Sequence, residues 1–215
     1  PYADVVWIDA DIVINDKAAP CIVGANDSDH VGAVTSKDAY ATAEQIDNRL
    51  KRIRALNNNA QVAQLVEATF ADLYVRAGLP DDIEEMMNTG VLVLKPDRHA
   101  DVLRAVYDTY DQNPFSGYEN LPLAYHLLKH DLVNRLDPRF NKLLGEEIVE
   151  RYLSLMFDEM RGDDLIKALC VNTAFNNAYF LHFIEKDAGG YIDLLVPEES
   201  WHTLHAAVMQ KLAER

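Results

Sequence analysis

Apolar residues fill positions 5–8 and again 12–14, and between them stands Asp9-Ala10-Asp11. Short β-branched runs of this kind predict strands, because they are too brief for a helix. Val5-Val6-Trp7-Ile8 reads as a buried strand. Cys21-Ile22-Val23-Gly24 predicts another, followed by a polar turn over 25–29. From 38 to 56 the period changes. Ala39, Ala43, Ile46, Leu50 and Ile53 recur three or four residues apart and predict a helix, which Asn57-Asn58-Asn59 breaks. A second helix over 60–77 carries Val62, Leu65, Val66, Phe70 and Leu73 on one face and stops at Gly78, with Pro80 just beyond.

The run Met-Met-Asn-Thr-Gly-Val-Leu-Val-Leu over 86–94 predicts a strand closed by Lys95-Pro96, and Val102, Leu103, Val106 and Tyr107 predict a helix over 98–111. A turn follows at 114–117. Residues 119–130 read as a helix, with Pro122 in the tolerated first turn. Residues 132–141 read as short extended structure around Asp137-Pro138. Helices are predicted over 146–160 and 163–177, a strand over 178–184, a flexible loop over 187–190 and a final amphipathic helix over 197–215. Such alternation predicts an α/β fold, a central mixed sheet flanked by helices, built as a single domain over 1–215. The acid pair then falls at the carboxyl end of a strand, where ligands bind in open α/β sheets.

Charge narrows the partners. Twenty basic residues against 35 acidic ones leave a formal charge of −15, which argues against a nucleic-acid-binding surface, since that needs a basic stripe, and disfavours docking on anionic lipid. Cys21 and Cys170 are the two cysteines of the chain, too few for a disulfide framework, and a reducing cytoplasm is the expected location. No apolar run approaches the ~20 residues of a membrane span, and no signal peptide is visible. The chain starts at Pro1 and goes almost straight into a strand, so a piece of a longer protein is expected, with membrane association if an N-terminal segment is missing.

Asp9 and Asp11 carry the chemistry. Two unpaired carboxylates beside a buried strand are costly, and a divalent cation removes the penalty by supplying positive charge. Hard oxygen ligands suit magnesium or manganese. A surface turn between two strands is the bland alternative. His126 and His130, four apart on a helix, and His202 with His205 on the last one, read as solvated faces, because no third ligand accompanies them at a sensible spacing.

Trp7-Ile8-Asp9-Ala10-Asp11 resembles the Asp-x-Asp signature of nucleotide-sugar glycosyltransferases with the GT-A fold. Asn88-Thr89-Gly90-Val91 is similar to the Asn-Ser-Gly-Val segment of glycosyltransferase family 8 and its relatives, with threonine in place of serine. The resemblance implies a metal held by Asp9, Asp11 and His182, the last in Phe180-Leu181-His182-Phe183. It implies that Asn88, Thr89 and Gly90 line the donor sugar, and that Glu119 and Asn120 are catalytic, facing the sugar from a helix start. Leu136-Asp137-Pro138-Arg139-Phe140-Asn141 resembles a further "Leu-Pro-x-Arg-Phe-Asn" segment, read as structural, with Asn141 satisfying local backbone. The implied reaction moves a hexose from a nucleoside diphosphate sugar donor to a sugar or glycan acceptor hydroxyl, with a Mn2+ or Mg2+ cofactor and retention of configuration.

The chain departs from that family in two places. After His182 the family continues into a glycine and a Lys-Pro-Trp run that grips the diphosphate; here Lys186 is the one candidate substitute. Only eight residues precede Asp9, so the chain corresponds to the C-terminal portion of a GT-A-like domain without its nucleotide-binding half. Two other readings stay open. One is a haloacid dehalogenase-like phosphatase, which also places Asp-x-Asp after an apolar strand but follows it with a Gly-Thr turn instead of Ile12-Val13-Ile14; Val31-Gly32-Ala33-Val34-Thr35-Ser36 and Gly162-Asp163-Asp164 would serve its later motifs. The other is a non-catalytic, transferase-like subunit.

Overall fold

The computed structural model describes residues 2–26, 28–36, 69–111, 120–152, 163–183 and 189–214. The predicted helix over 38–56, most of that over 60–77, the turn at 114–117, Glu119 and Lys186 lie outside the described residues. In chain order the first elements are β1 (Val5–Ile8), β2 (Ile12–Ile14), α1 (Ile22–Ala25), β3 (Val31–Thr35), α2 (Phe70–Arg76), β4 (Met87–Leu94), α3 (Pro96–Tyr110) and α4 (Leu121–Lys129). They are followed by β5 (Val133–Arg135), β6 (Lys142–Leu143), α5 (Leu144–Arg151), α6 (Asp164–Asn176), β7 (Phe180–His182), α7 (Gly189–Ile192) and α8 (Trp201–Ala213). The fold is mixed α/β, and its strands form two mixed sheets, one in each of two compact units.

The first unit comprises residues 1–9 and 20–140. Its sheet has the order β1-β4-β3-β5, antiparallel except for the β3–β5 pair. Every residue of β3 is buried, as is β4 from Thr89 to Val93, which explains why these central strands read as continuous apolar runs. Val31, Ala33, Met87, Leu92, Leu127 and Val133 form the core between this sheet and α3 and α4. The β1 strand is different. It pairs on one side with β4, and the strand alternation leaves Val5 and Trp7 exposed while Val6 and Ile8 turn inward. The buried strand read from the sequence is thus, among the described residues, an edge strand.

Local signals account for most boundaries. Thr69 and Asp72 form a reciprocal capping box at the start of α2, the part of the 60–77 helix that is described. Its end is where Gly78 predicts it: Gly78 has φ 78°, and Leu79 N–H donates to Tyr74 O at 2.9 Å. The segment at 21–24 is not a strand. Cys21 stands at the N-terminal flank of the single turn of α1 without a side-chain capping bond; a three-residue apolar run carries no period of its own, and the turn needs to bury just Ile22.

The second unit comprises residues 10–19 and 141–215, with the sheet order β2-β7-β6. Its middle strand β7 runs antiparallel to β2 and parallel to β6, and all three of its residues are buried. Leu144, Val171, Ala174, Leu181 and Phe183 make the core. Two buried asparagines tie loops to it. Asn15 donates to Phe175 O and Ala178 O, while Asn172 donates to Leu194 O and accepts from Val196 N–H. The strand expected over 178–184 narrows to β7. Gly189 and Gly190, expected in a loop, open the one-turn helix α7. Cys21 and Cys170 are both free thiols. No helix among the described residues is long and apolar enough to cross a membrane.

Candidate metal centre

Backbone pairing sets where the two acids stand. β1 ends with Ile8 opposite Val91, and the next N–H, that of Asp9, donates to Gly90 O at 2.9 Å. β2 begins with Ile12 opposite His182, and Phe183 N–H donates to Asp11 O at 2.9 Å. The predicted position at the carboxyl end of a strand holds for Asp9.

Their side chains are held as well. The indole N–H of Trp7 donates to Asp9 Oδ1 at 3.0 Å. His182 Nε2 lies 3.1 Å from Asp11 Oδ1, and its Nδ1 lies 2.9 Å from Asn141 Oδ1. The imidazole is buried, whereas the Asp11 carboxylate is half exposed. One oxygen each from Asp9 and Asp11 and one ring nitrogen of His182 all lie within 4.8 Å of one another. The donor chemistry fits a divalent cation: two hard carboxylate oxygens favour such an ion, and an imidazole suits the first-row metals among them. The Asp11–His182 spacing fits too, since neighbouring ligands at ~2.2 Å from an octahedral ion stand roughly 3.1 Å apart.

Asn88, Thr89 and Gly90 sit where the β3–β4 pairing is irregular: the register shifts between Ala33, opposite Leu92, and Val34, opposite Asn88. Asn88 Oδ1 accepts from Gly90 N–H at 2.9 Å, and Thr89 is buried. Gly90 O is the acceptor for Asp9 N–H, so this segment and Asp9 are direct neighbours. Asn120 immediately precedes α4, and its Oδ1 is buried without a hydrogen-bond partner among the described residues. Glu119 and Lys186 lie outside the described residues. Asn141 and Trp7 were not read as site residues. Their contacts with His182 and Asp9 cross the fold or depend on a rotamer, and no sequence spacing announces either.

Other titratable groups have different work. His126 is half-buried with its Nε2 3.2 Å from Tyr110 Oη, and burial holds its imidazole below the usual range; the solvated face expected there is correct for His130, His202 and His205. Asp163, which the phosphatase reading would need, caps α6 through Ile166 N–H and pairs with Lys211 at 2.8 Å. On α5, burial and the neighbouring Glu150 and Glu147 charges push the Glu146 carboxyl up to about 8.

No family model matches the chain, nor does any curated protein. Among solved structures it is similar to galactosyltransferase LgtC, crystallised in complex with donor and acceptor sugar analogues, at 14% identity and a TM-score of 0.42. The match covers 93% of this chain and 64% of that one, so the chain spans about two thirds of the LgtC length. At this level the likeness carries no argument about this chain. What the site residues do rests on their own geometry.

Proposed function

We propose that the chain is part or all of a GT-A-like, metal-dependent glycosyltransferase that moves a hexose from a nucleoside diphosphate sugar to an acceptor hydroxyl with retention of configuration. The observation that carries this is the Asp9, Asp11 and His182 group, in which an Asp-x-Asp pair and a distant histidine offer ligand atoms within 4.8 Å of one another. Those three side chains would hold a divalent cation, Mn2+ or Mg2+, which when bound supplies Lewis acidity toward a departing diphosphate.

The remaining residues bind and orient. Asn88 and Thr89 offer an amide and a hydroxyl to the donor sugar, and Gly90 lets it approach the backbone. Asn120 Oδ1, buried and without a partner among the described residues, accepts from a sugar hydroxyl. The resemblance gives Glu119 the role of stabilising the positive charge that develops on the sugar ring as the glycosidic bond breaks. Lys186 is the candidate for the phosphate contact that a Lys-Pro-Trp run makes in the family. The test is a screen of nucleoside diphosphate sugars with and without Mn2+, using the longest form of the protein that can be produced. Metal-dependent consumption of one donor supports the proposal; consumption of none, with Mn2+ demonstrably bound, overturns it. Hydrolysis of simple phosphate monoesters would return the phosphatase.

A further inference from the structure

The contact between Asn141 and His182 bears on what the metal centre can bind. Asn141 is 3% exposed and directly precedes β6, whose Lys142 and Leu143 pair in parallel with Leu181 and His182. Strand pairing therefore places the amide beside the ring, and burial keeps bulk water from substituting for it. An amide oxygen carries no hydrogen, so in the 2.9 Å contact between Asn141 Oδ1 and His182 Nδ1 the ring nitrogen is the donor. A neutral ring held this way carries its proton on Nδ1, and Nε2 becomes the basic nitrogen. Nε2 is the atom that lies 3.1 Å from Asp11 Oδ1.

We infer that Asn141 is a positioning residue that fixes His182 as the Nδ1–H tautomer and so presents Nε2, beside the Asp11 carboxylate, to a divalent cation. The amide orientation decides the matter. Turned over, Asn141 would donate Nδ2–H to Nδ1, the proton would sit on Nε2, and that nitrogen could not ligate a metal. Metal-binding histidines commonly fix their second nitrogen on a carboxylate, a carbonyl or water. An amide oxygen serves the same end without adding charge. The inference rests on the metal-centre reading and is independent of sugar transfer.

The experiment uses the full chain labelled at histidine with 15N. Long-range 1H–15N spectra of the Zn2+-loaded protein identify the His182 tautomer, and calorimetry gives the Mn2+ affinity. The expected result is Nδ1–H with Nε2 unprotonated. N141A, checked for folding by circular dichroism, should bind Mn2+ about 10- to 100-fold more weakly. N141D keeps an acceptor at the same place and should restore both tautomer and affinity to within several-fold. An Nε2–H tautomer in the wild-type protein, or a folded N141A with unchanged Mn2+ affinity, overturns the inference. If N141A does not fold, the wild-type spectrum and N141D decide. A wild-type chain that binds no Mn2+ is a separate outcome that fails the metal centre itself.

Discussion

The main-chain N–H of Phe183 donates to the carbonyl of Asp11 at 2.9 Å. One residue on in β2 and one residue back in β7, Ile12 stands opposite His182. An acid near residue 10 and a histidine 171 positions later are thereby brought into one register by backbone hydrogen bonds. Because side-chain direction alternates along a strand, a slip of one residue would send the imidazole to the other face. The ligand pair is a property of β2–β7 pairing, and the side chains need little freedom to meet.

Removing either partner of that pair should weaken metal binding. Asp11→Ala deletes a hard oxygen ligand, and His182→Ala deletes a nitrogen placed 3.1 Å from it. Each is expected to lower Mn2+ affinity by about tenfold or more, the double variant losing less than the product because both ligate one ion. Because imidazole suits Mn2+ better than Mg2+, His182→Ala should also narrow the preference for manganese. Titration calorimetry with both ions checks this; unchanged Mn2+ affinity in His182→Ala would return the histidine to an ordinary buried role.

What the sequence revealed followed from local signals. The 86–94 run became β4 because a strand buried on both faces needs a continuous apolar stretch, and Gly78 ended α2 because a left-handed residue is required there. Asp9 and Asp11 stood out because adjacent-but-one acids beside a strand need a counter-charge. Other features depend on distant pairing. That β1 is an edge strand among the described residues, with Trp7 exposed, depends on which strands lie beside it. The Asn141–His182 contact spans 41 residues, and the amide looks like any turn asparagine until β6 and β7 are paired. The division of strands between two sheets was equally invisible, since alternation reports which elements exist and says nothing of their neighbours.

Gly32 should tolerate no side chain. A Cβ there would meet the Asn26 side chain at 2.8 Å and Val93 Cβ at 3.1 Å. Asn26 cannot easily yield, since it donates to His30 O and accepts from Asn134 Nδ2. Gly32→Ala is expected to cost about 1–3 kcal/mol, the usual cost of overpacking a tight interior. Denaturant unfolding would show a lower midpoint, and Asn26→Ala should relieve part of the loss in the double variant.

Glu146 should make stability fall as pH rises. Its folded pKa is raised to about 8 from an ordinary 4.5, chiefly by burial, so between these values the folded chain holds a proton that the unfolded chain has released. The fold is therefore favoured below about 4.5 and loses stability progressively up to about 8. A tenfold difference in proton affinity is worth about 1.4 kcal/mol, and water reaching the half-buried side chain reduces the total to about 2 kcal/mol. Glu146→Gln mimics the protonated form, so it should raise the melting temperature at pH 8 and leave it unchanged near pH 4.5. An equal effect at both pH values would contradict the assignment.

Asn120 offers a way to separate a binding role from a structural one. Its Oδ1 is buried without a hydrogen-bond partner among the described residues, and a buried acceptor left unsatisfied costs about 1–3 kcal/mol. Proteins retain such atoms where a ligand supplies the missing donor, and a sugar hydroxyl would do so here. Asn120→Leu removes the acceptor while keeping most of the volume. If the atom serves a ligand, the variant should be as stable as the wild-type chain or more so, by up to about 1 kcal/mol, and should lose sugar binding. Asn120→Asp keeps an acceptor and should retain some binding at a cost in stability, because it adds a buried charge. Thermal unfolding and calorimetry with a donor sugar, run on the same samples, read the two effects separately. A Leu variant that is clearly destabilised and binds sugar normally would make Asn120 a structural residue at the start of α4 and remove it from the proposed sugar site.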